Sequence, residues 1–451
     1  MDAIIQEFWK GRERKKPDGQ CIATTLSTTV DPERLRRFVN SANAQSIKPQ
    51  IQDRIRYDLS GRRCNCSKDE ADGWGNIYEA FWKAASEIVV IQDGRGKSSW
   101  STVYEAWKDV VLNVSRGFTN YNFERWALPV LEATARDLRI LALKADDERN
   151  NTNTEDTPSF GDDFDLEGEK HQKLEDCARQ LNRLFTLCLN DRAELERSRK
   201  WSIYYIINLL FKTYFRLNKA SLSRNLIKAL LAYRGDMPEL TQFKVSEVVT
   251  FQYFQGVLEF LEENYVKAED HLTEAFFMCH RDCIGNKERI LTYLIPCHLL
   301  TSHSLPSDKL LAPFPKLQSL FGPLSTAIKH GNLKAFDEAL QECEDEFVQR
   351  RIYLTLERGR DIALRNLLRR VFLAGGLEEG KNGGEPIRRT RVPVSEFQAA
   401  VSLVSGEAVD ADEVECLLAN MIYKNLMKGY IAHDRGIVVL SKAGAFPGTK
   451  V

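Results

Sequence analysis

Two kinds of side chain in this sequence could do chemistry: scattered thiols and imidazoles, and clusters of basic residues. Cys279-His280 with Cys283, followed by Cys297-His298, supplies the ligand types of a zinc site. Zinc fingers and ribbons need ligand pairs at set spacings, and this set matches neither. A Cys-x-x-x-Cys on one helical face is what a core uses as small hydrophobes. Cys64-Asn65-Cys66, in a polar stretch, is no better a candidate. A metal-dependent hydrolase of the His-x-His type is excluded, because none of the seven histidines stands two residues from another. No Gly-x-x-x-x-Gly-Lys-Ser/Thr cradle for phosphates is present. The residues therefore predict no catalytic site, no metal and no cofactor.

The basic clusters carry more. Arg365, Arg369 and Arg370 share one predicted helix, Arg388, Arg389 and Arg391 follow in a Gly-rich insert, and Lys424, Lys428, Arg435 and Lys442 surround the last predicted helix and hairpin. Basic side chains that neutralise phosphates supply affinity for nucleic acid, so these ten residues are the candidate nucleic-acid-binding set. A solvated basic face or a subunit interface is the competing explanation, and Glu413 and Glu415 near the start of the last helix argue against its entering a groove. A second row, Lys212, Arg216, Lys219, Arg224 and Lys228, would attract an acidic extended peptide. Stems covering apolar surface around a helix turn would produce the same row.

The elements that must position these residues are helical. Ile203, Ile206, Ile207, Leu210, Phe211, Tyr214 and Phe215 recur at i, i+3, i+4, i+7. After a polar turn, Leu222, Leu226, Ala229, Leu230 and Tyr233 form a second row, with Ser221 as its expected N-cap. Two such helices fold back as an antiparallel pair and need more of the same around them. A short helix over Ile4 to Trp9 and another near Leu35 to Val39 are expected in a poorly defined region, 1–75, whose residues 60–75 read as a loop. Helical repeats are expected over 76–145, with Pro129 in a first turn. Residues 146–170 read as an acidic disordered linker, since they offer too little apolar area to offset ordering.

Helical pairs continue over 171–346. Gly256, Phe260, Tyr265, Ala268, Leu272 and Ala275, and then His330 to Leu340, echo tetratricopeptide spacing only faintly. Pro306, Pro313, Pro315 and Pro323 are expected at connections. Over 347–445 the pattern changes: a helix from Ile352 to Leu373, a mobile insert at 375–391, a helix capped by Ser395, and another capped by Asp410 or Asp412. Strands Tyr430–Ala432 and Ile437–Leu440 follow around an Asp434-Arg435-Gly436 turn. The fold class expected is mostly α: an irregular tetratricopeptide-like solenoid followed by a C-terminal winged helix.

Length and composition set only broad bounds. A chain of 451 residues has room for two to three domains. Its net charge of −1 predicts no partner from bulk electrostatics, so any nucleic-acid surface must be local. Ten irregularly spaced cysteines without a secretory signal point to a reducing compartment, cytosol or nucleus. No apolar run approaches the ~20 residues that cross a bilayer, so no membrane partner is expected.

Helical repeats running into a winged helix resemble the PCI domain of proteasome-lid, signalosome and initiation-factor scaffold subunits. WALPVLEATARDLRILA, KWSIYYIINLLFKTYFRLNKASLSRNLIKAL, NKERILTYLIPCHLL and VECLLANMIYKNLMKGYIAH resemble signature stretches of the Thp-one / signalosome-subunit-twelve family. The Gly-rich insert before PIRRTRVPVSEFQAA is most similar to its fungal subunit-twelve homologues. The resemblance covers residues 76 to 445. It implies a non-enzymatic scaffold in a nuclear complex coupling transcription to mRNA export or splicing. It also implies a large Sac-three-type partner, a small acidic Sem-one/Dss-one-type peptide, and contact with RNA or DNA through a composite winged-helix surface. Localisation would be nuclear, with the cytoplasm as a second site. A signalosome-associated subunit in protein turnover is the alternative, and a hydrolase or transferase is the least supported reading.

Overall fold

The computed structural model describes the chain apart from residues 1, 14–15, 29–30, 42–45, 58–60, 62, 65, 95–97, 154–170, 234–236, 379–386, 443 and 450–451. It is mostly helical, and its contacts fall into two units, Met1–Phe251 and Gln252–Val451. The division falls inside one helix, Val245–Leu261.

The N-terminal unit begins with four short helices: α1 (Asp2–Arg12), α2 (Gly19–Thr25), α3 (Pro32–Asn40) and α4 (Ile47–Arg56). Acidic caps start α2 and α3. Asp18 accepts from the Gln20 and Cys21 amides, and Asp31 accepts from Glu33 ahead of a first-position proline. The longer helices α5 (Lys68–Gln92), α6 (Trp100–Asn120) and α7 (Leu128–Asn153) pack in sequence order. Phe8 lies 5.4 Å from Trp74 and 5.6 Å from Tyr78, ring to ring, and Trp74 stacks on Phe123 at 4.4 Å. A fully buried Phe contributes about 1.5–3 kcal/mol. The first helices therefore belong to this unit's core.

Two expectations need correction here. The polar stretch 60–75 is not all loop: α5 begins at Lys68, capped by the Ser67 hydroxyl, and Trp74 is buried in its second turn. The acidic stretch does not begin as linker either. α7 runs on through Asn153, and Asp146 is buried. Its carboxylate accepts from the Lys173 and Leu174 amides at 2.9 Å each, capping the next helix, α8 (Gln172–Leu189), from outside. The remainder of that stretch, 154–170, lies outside the described residues.

The apolar pair from which the fold was read forms α9 (Ile203–Arg216) and α10 (Leu222–Ala232). A 3-10 turn, Arg199–Ser202, leads into α9. Asp191 holds that turn: its carboxylate takes hydrogen bonds from the Ser198 hydroxyl (2.9 Å), the Arg199 amide (2.6 Å) and the Arg199 guanidinium (2.8 Å). Burial pushes this carboxyl up, but the Arg199 and Ser198 bonds outweigh it and hold it well below the usual carboxylate range. Ser221 stands at the N-cap of α10 without a capping bond, because its backbone is already helical (φ −56°, ψ −30°).

After α11 (Val245–Leu261), the C-terminal unit continues with α12 (Tyr265–Met278), α13 (Ile284–Thr301), α14 (Asp308–Leu311), α15 (Pro315–His330), α16 (Leu333–Glu342), α17 (Glu344–Gln349), α18 (Tyr353–Glu357) and α19 (Gly359–Ala374). The small residues do mark a close crossing. A Cβ on Gly256 would come within 2.6 Å of Leu272 Cγ. Gly331, at φ +66°, ends α15, and a Cβ there would meet the Leu367 amide at 2.6 Å. Pro323 is no connection; it lies within α15. The single helix expected over Ile352 to Leu373 is two, broken at Arg358.

The chain then forms β1 (Leu377–Glu378), β2 (Ile387–Arg388), β3 (Arg391–Pro393), α20 (Val394–Ser405), α21 (Ala411–Tyr423), β4 (Gly429–Ala432) and β5 (Ile437–Leu440). β1 pairs with β2, and β3, β5 and β4 form an antiparallel sheet in that order. Three helices and this sheet make a winged helix. The expected insert is partly structured, since β1, β2 and β3 lie in or overlap it, with 379–386 outside the described residues. β3 runs straight into α20, which removes Ser395 as a cap; Asp410 does cap α21, accepting from the Ala411 amide. Gly436, at φ +58°, closes the β4–β5 turn. Phe446 lies against Phe372 at 5.8 Å, so the chain beyond β5 also belongs to this core.

Candidate nucleic-acid interface and partner surface

The thiols and imidazoles do not converge. Among the described residues no three His, Cys, Asp or Glu side chains are grouped to hold a metal. Cys279 and Cys297 are buried and Cys283 is exposed. His280 pairs with Asp282, and His298 Nδ1 lies 2.8 Å from Glu269. The Cys64 and Cys66 thiols are bonded to each other; that bond and burial push Cys64 up, while the same bond lowers Cys66. A cleft of about 720 Å³ involves Thr301, His303, Arg358, Asp361, Lys424 and Gly448. Its charges are matched in pairs: Lys424 with Asp361 at 2.6 Å, and Arg358 with Glu263 at 2.8 Å.

The ten candidate nucleic-acid residues separate by depth. Arg365 is 4% exposed and does not reach solvent as a phosphate ligand. Its Nη1 donates to the Pro447 carbonyl at 3.4 Å and its Nη2 to Asn366 at 3.3 Å, while Nε has no partner. Burial, with the like charge of Arg369 adding to it, lowers its pKa. Arg365 lies on the inner face of α19, a position that helical spacing alone would have disclosed beside Leu364 and Leu368. Arg369 is half-buried, and Arg370 donates to His330 Nδ1 at 3.0 Å. Arg388 lies over the Phe372 ring at 5.7 Å, Arg389 pairs with Glu396, and Lys424 is taken by Asp361.

Arg391, Lys428, Arg435 and Lys442 are exposed and make no side-chain ion pair among the described residues. The sheet register brings two of them together. Arg391 pairs with Val439, and Val439 with Tyr430, so these three side chains share one face. Val392, Val438 and Leu440 point the other way, into the core, at 1%, 0% and 3% exposure. Lys428 precedes Tyr430 by two residues and continues the ladder, its carbonyl accepting from the Ser441 amide. It therefore lies on the same outer face as Arg391 and Tyr430. The sequence reading places Tyr430 at the start of a strand but does not single it out as a site residue, and it misses β3, because a three-residue strand ending at Pro393 offers almost no alternation to detect.

In the N-terminal unit, Lys212 and Arg216 extend from α9, Arg224 and Lys228 from α10, and Lys219 from the turn between them; all are exposed. Lys219 pairs with Glu175 at 2.5 Å. Arg139 of α7, absent from the sequence-based set, joins them by donating to the Lys212 carbonyl at 3.2 Å. Burial lowers the pKa of its guanidinium, and the nearby charge of Arg216 acts in the same direction. Nothing in the spacing of α7 signals this contact, since it is made between helices distant in sequence.

Comparison with known proteins agrees with this architecture. The PCI domain family matches residues 340–442, from the end of α16 through the sheet. The chain is 58% identical to the Protein CSN12 homolog of Neurospora crassa over 455 residues, covering all of both chains. It is 41% identical to that of Schizosaccharomyces pombe, over 77% of this chain and 78% of the relative. It is 33% identical to PCI domain-containing protein 2 of Danio rerio, over 76% of this chain and 78% of the relative. Full-length similarity to the Neurospora crassa protein, with a winged helix where the PCI domain matches, establishes that this chain belongs to the CSN12 homolog family of PCI-domain proteins.

Proposed function

We infer that the chain is a non-catalytic scaffold subunit of a nuclear complex linking transcription to mRNA export or splicing. In this reading it holds RNA or DNA on a composite surface that includes the winged helix. The observation that carries the reading is the set Arg391, Lys428, Arg435 and Lys442, four exposed cations without ion-pair partners among the described residues on one small fold. Uncommitted cations retain their full counterion-release contribution when they meet phosphate, whereas Lys424 or Arg389 would first have to break an ion pair. The row Lys212, Arg216, Lys219, Arg224 and Lys228, extended by Arg139, is the proposed surface for a small acidic peptide of the Sem-one/Dss-one type. A large Sac-three-type subunit is the expected second partner.

The test is nucleic-acid binding by the chain reconstituted with its co-purifying partners. Converting Arg391, Lys428 and Lys442 to Glu should abolish binding at moderate salt. Affinity that stays flat from low to moderate salt would refute the reading. A signalosome-associated role is the second reading, favoured by the CSN12 name of the fungal relatives. Affinity purification from nuclear extract separates the two by what co-elutes.

A further inference from the structure

We propose that the outer face of the β3–β5–β4 sheet is a subsite for an unpaired nucleotide, with Tyr430 as the stacking platform and Arg391 and Lys428 as phosphate ligands. This rests on the nucleic-acid reading above and narrows it to single strands. Tyr430 is 63% exposed on an ordered strand, and its cross-strand neighbour on this face is the smaller Val439. A Tyr ring placed that way leaves one side open, and the ring edge is held by the sheet rather than by a mobile loop.

The spacing suits a nucleotide. Neighbouring strands lie about 4.8 Å apart, so Arg391 stands roughly 10 Å across the sheet from Tyr430, with Val439 between them. Lys428 lies about 7 Å from Tyr430 along β4. A base on the ring would thus have one cation along the strand and another across it. Among the described residues, no strand position on this face is acidic: the positions around Tyr430 are Arg391, Pro393, Lys428, Ala432, Ile437 and Val439.

A base in a duplex is already stacked on its neighbours and cannot lie flat on a side chain, whereas an unpaired base can. Charge and aromatic area together favour an unpaired strand over a duplex. They also favour it over a protein partner, for which a face with two unneutralised cations would require matching carboxylates.

The full chain, reconstituted with its partners, is titrated against labelled single-stranded RNA, single-stranded DNA of the same sequence, and a duplex of equal length. Single strands should bind more tightly than the duplex, and the RNA and DNA arms show whether the 2′-hydroxyl is read. Tyr430→Ala should weaken single-strand binding by roughly fivefold or more, the low end for one base stacked on an aromatic ring, and leave the duplex arm unchanged. Tyr430→Phe should retain affinity, and quenching of a fluorescent base analogue should disappear only in the Ala variant. Thermal melts of both variants check folding. Single-strand binding that survives Tyr430→Ala but falls when Arg391, Lys428 and Lys442 become Glu would overturn this subsite and leave the broader reading intact. Loss of a protein partner with Tyr430→Ala and unchanged RNA binding would overturn it in favour of a protein interface. Absence of nucleic-acid binding in every arm would end both readings.

Discussion

The molecule carries two basic regions, and they are built on different backbones. In the N-terminal unit the cations extend from α9 and α10, with Arg139 half-buried beside Arg216. There the side chains share helix faces, and Lys219 is drawn onto Glu175. In the winged helix Arg391 stands on the sheet and Lys428 directly precedes β4, and strand register puts these two on one face. A helix spreads its charges around a cylinder, which suits an extended acidic chain lying along it. A sheet presents a plane, with an aromatic ring between charges. Similar residue types thus give a charge track in one place and a platform in the other.

Four experiments would break or sharpen that contrast. The largest effect is expected from Val438→Asp, which places a carboxylate in the fully buried centre of the central strand. It should cost upwards of about 3 kcal/mol, seen as early proteolysis within the winged helix and loss of nucleic-acid binding. If the helical row acts separately, capture of an acidic peptide should persist. Next, Lys212, Arg216 and Lys228 changed together to Glu should weaken that capture about tenfold, in pull-downs at low salt, while nucleic-acid binding is retained. Unchanged recovery would remove the acidic-peptide assignment.

Asp191→Asn tests what positions the helical row. Loss of the charge-assisted bonds at the 3-10 turn should cost about 1–3 kcal/mol at neutral pH by denaturant unfolding. The Asp191 carboxyl is held below its ordinary value in the folded chain. Its stabilisation is therefore complete above the unfolded-state value of about 4 and declines as pH falls below it. The difference between wild type and Asp191→Asn should shrink through that acid range; a gap that widened on acidification would contradict the assignment. The smallest effects divide exposed from buried arginine. Lys428→Ala should lower the salt slope of nucleic-acid binding by about one, whereas Arg365→Met should leave that slope unaltered.

Much of this was legible without coordinates. The i, i+3, i+4 rows from Ile203 to Tyr233 gave the anchor helices, and Asp434-Arg435-Gly436 gave the turn between two strands. What was misread has a common cause. Trp74 and Asp146 lie in polar stretches whose helices are completed by distant partners: Phe8 and Phe123 for the first, the α8 amides for the second. Ser221 and Ser395 have the right residue type for a cap, but Ser221 already has helical backbone with the first α10 amides bonded to turn carbonyls, and Ser395 lies inside α20, after its N-cap Pro393. Arg365 was grouped with surface arginines because three arginines within six residues look like a patch, although α19 turns one of them inward.

The sequence alone determined the helical class, the winged-helix terminus and the family, because apolar periodicity and long non-degenerate motifs are properties of local chain. Which cations are free, that β3 completes the sheet, and that Tyr430 shares a face with Arg391 and Lys428 were decided by tertiary structure. A side chain's availability depends on partners distant in sequence, and strand register fixes a face only once the strands have paired.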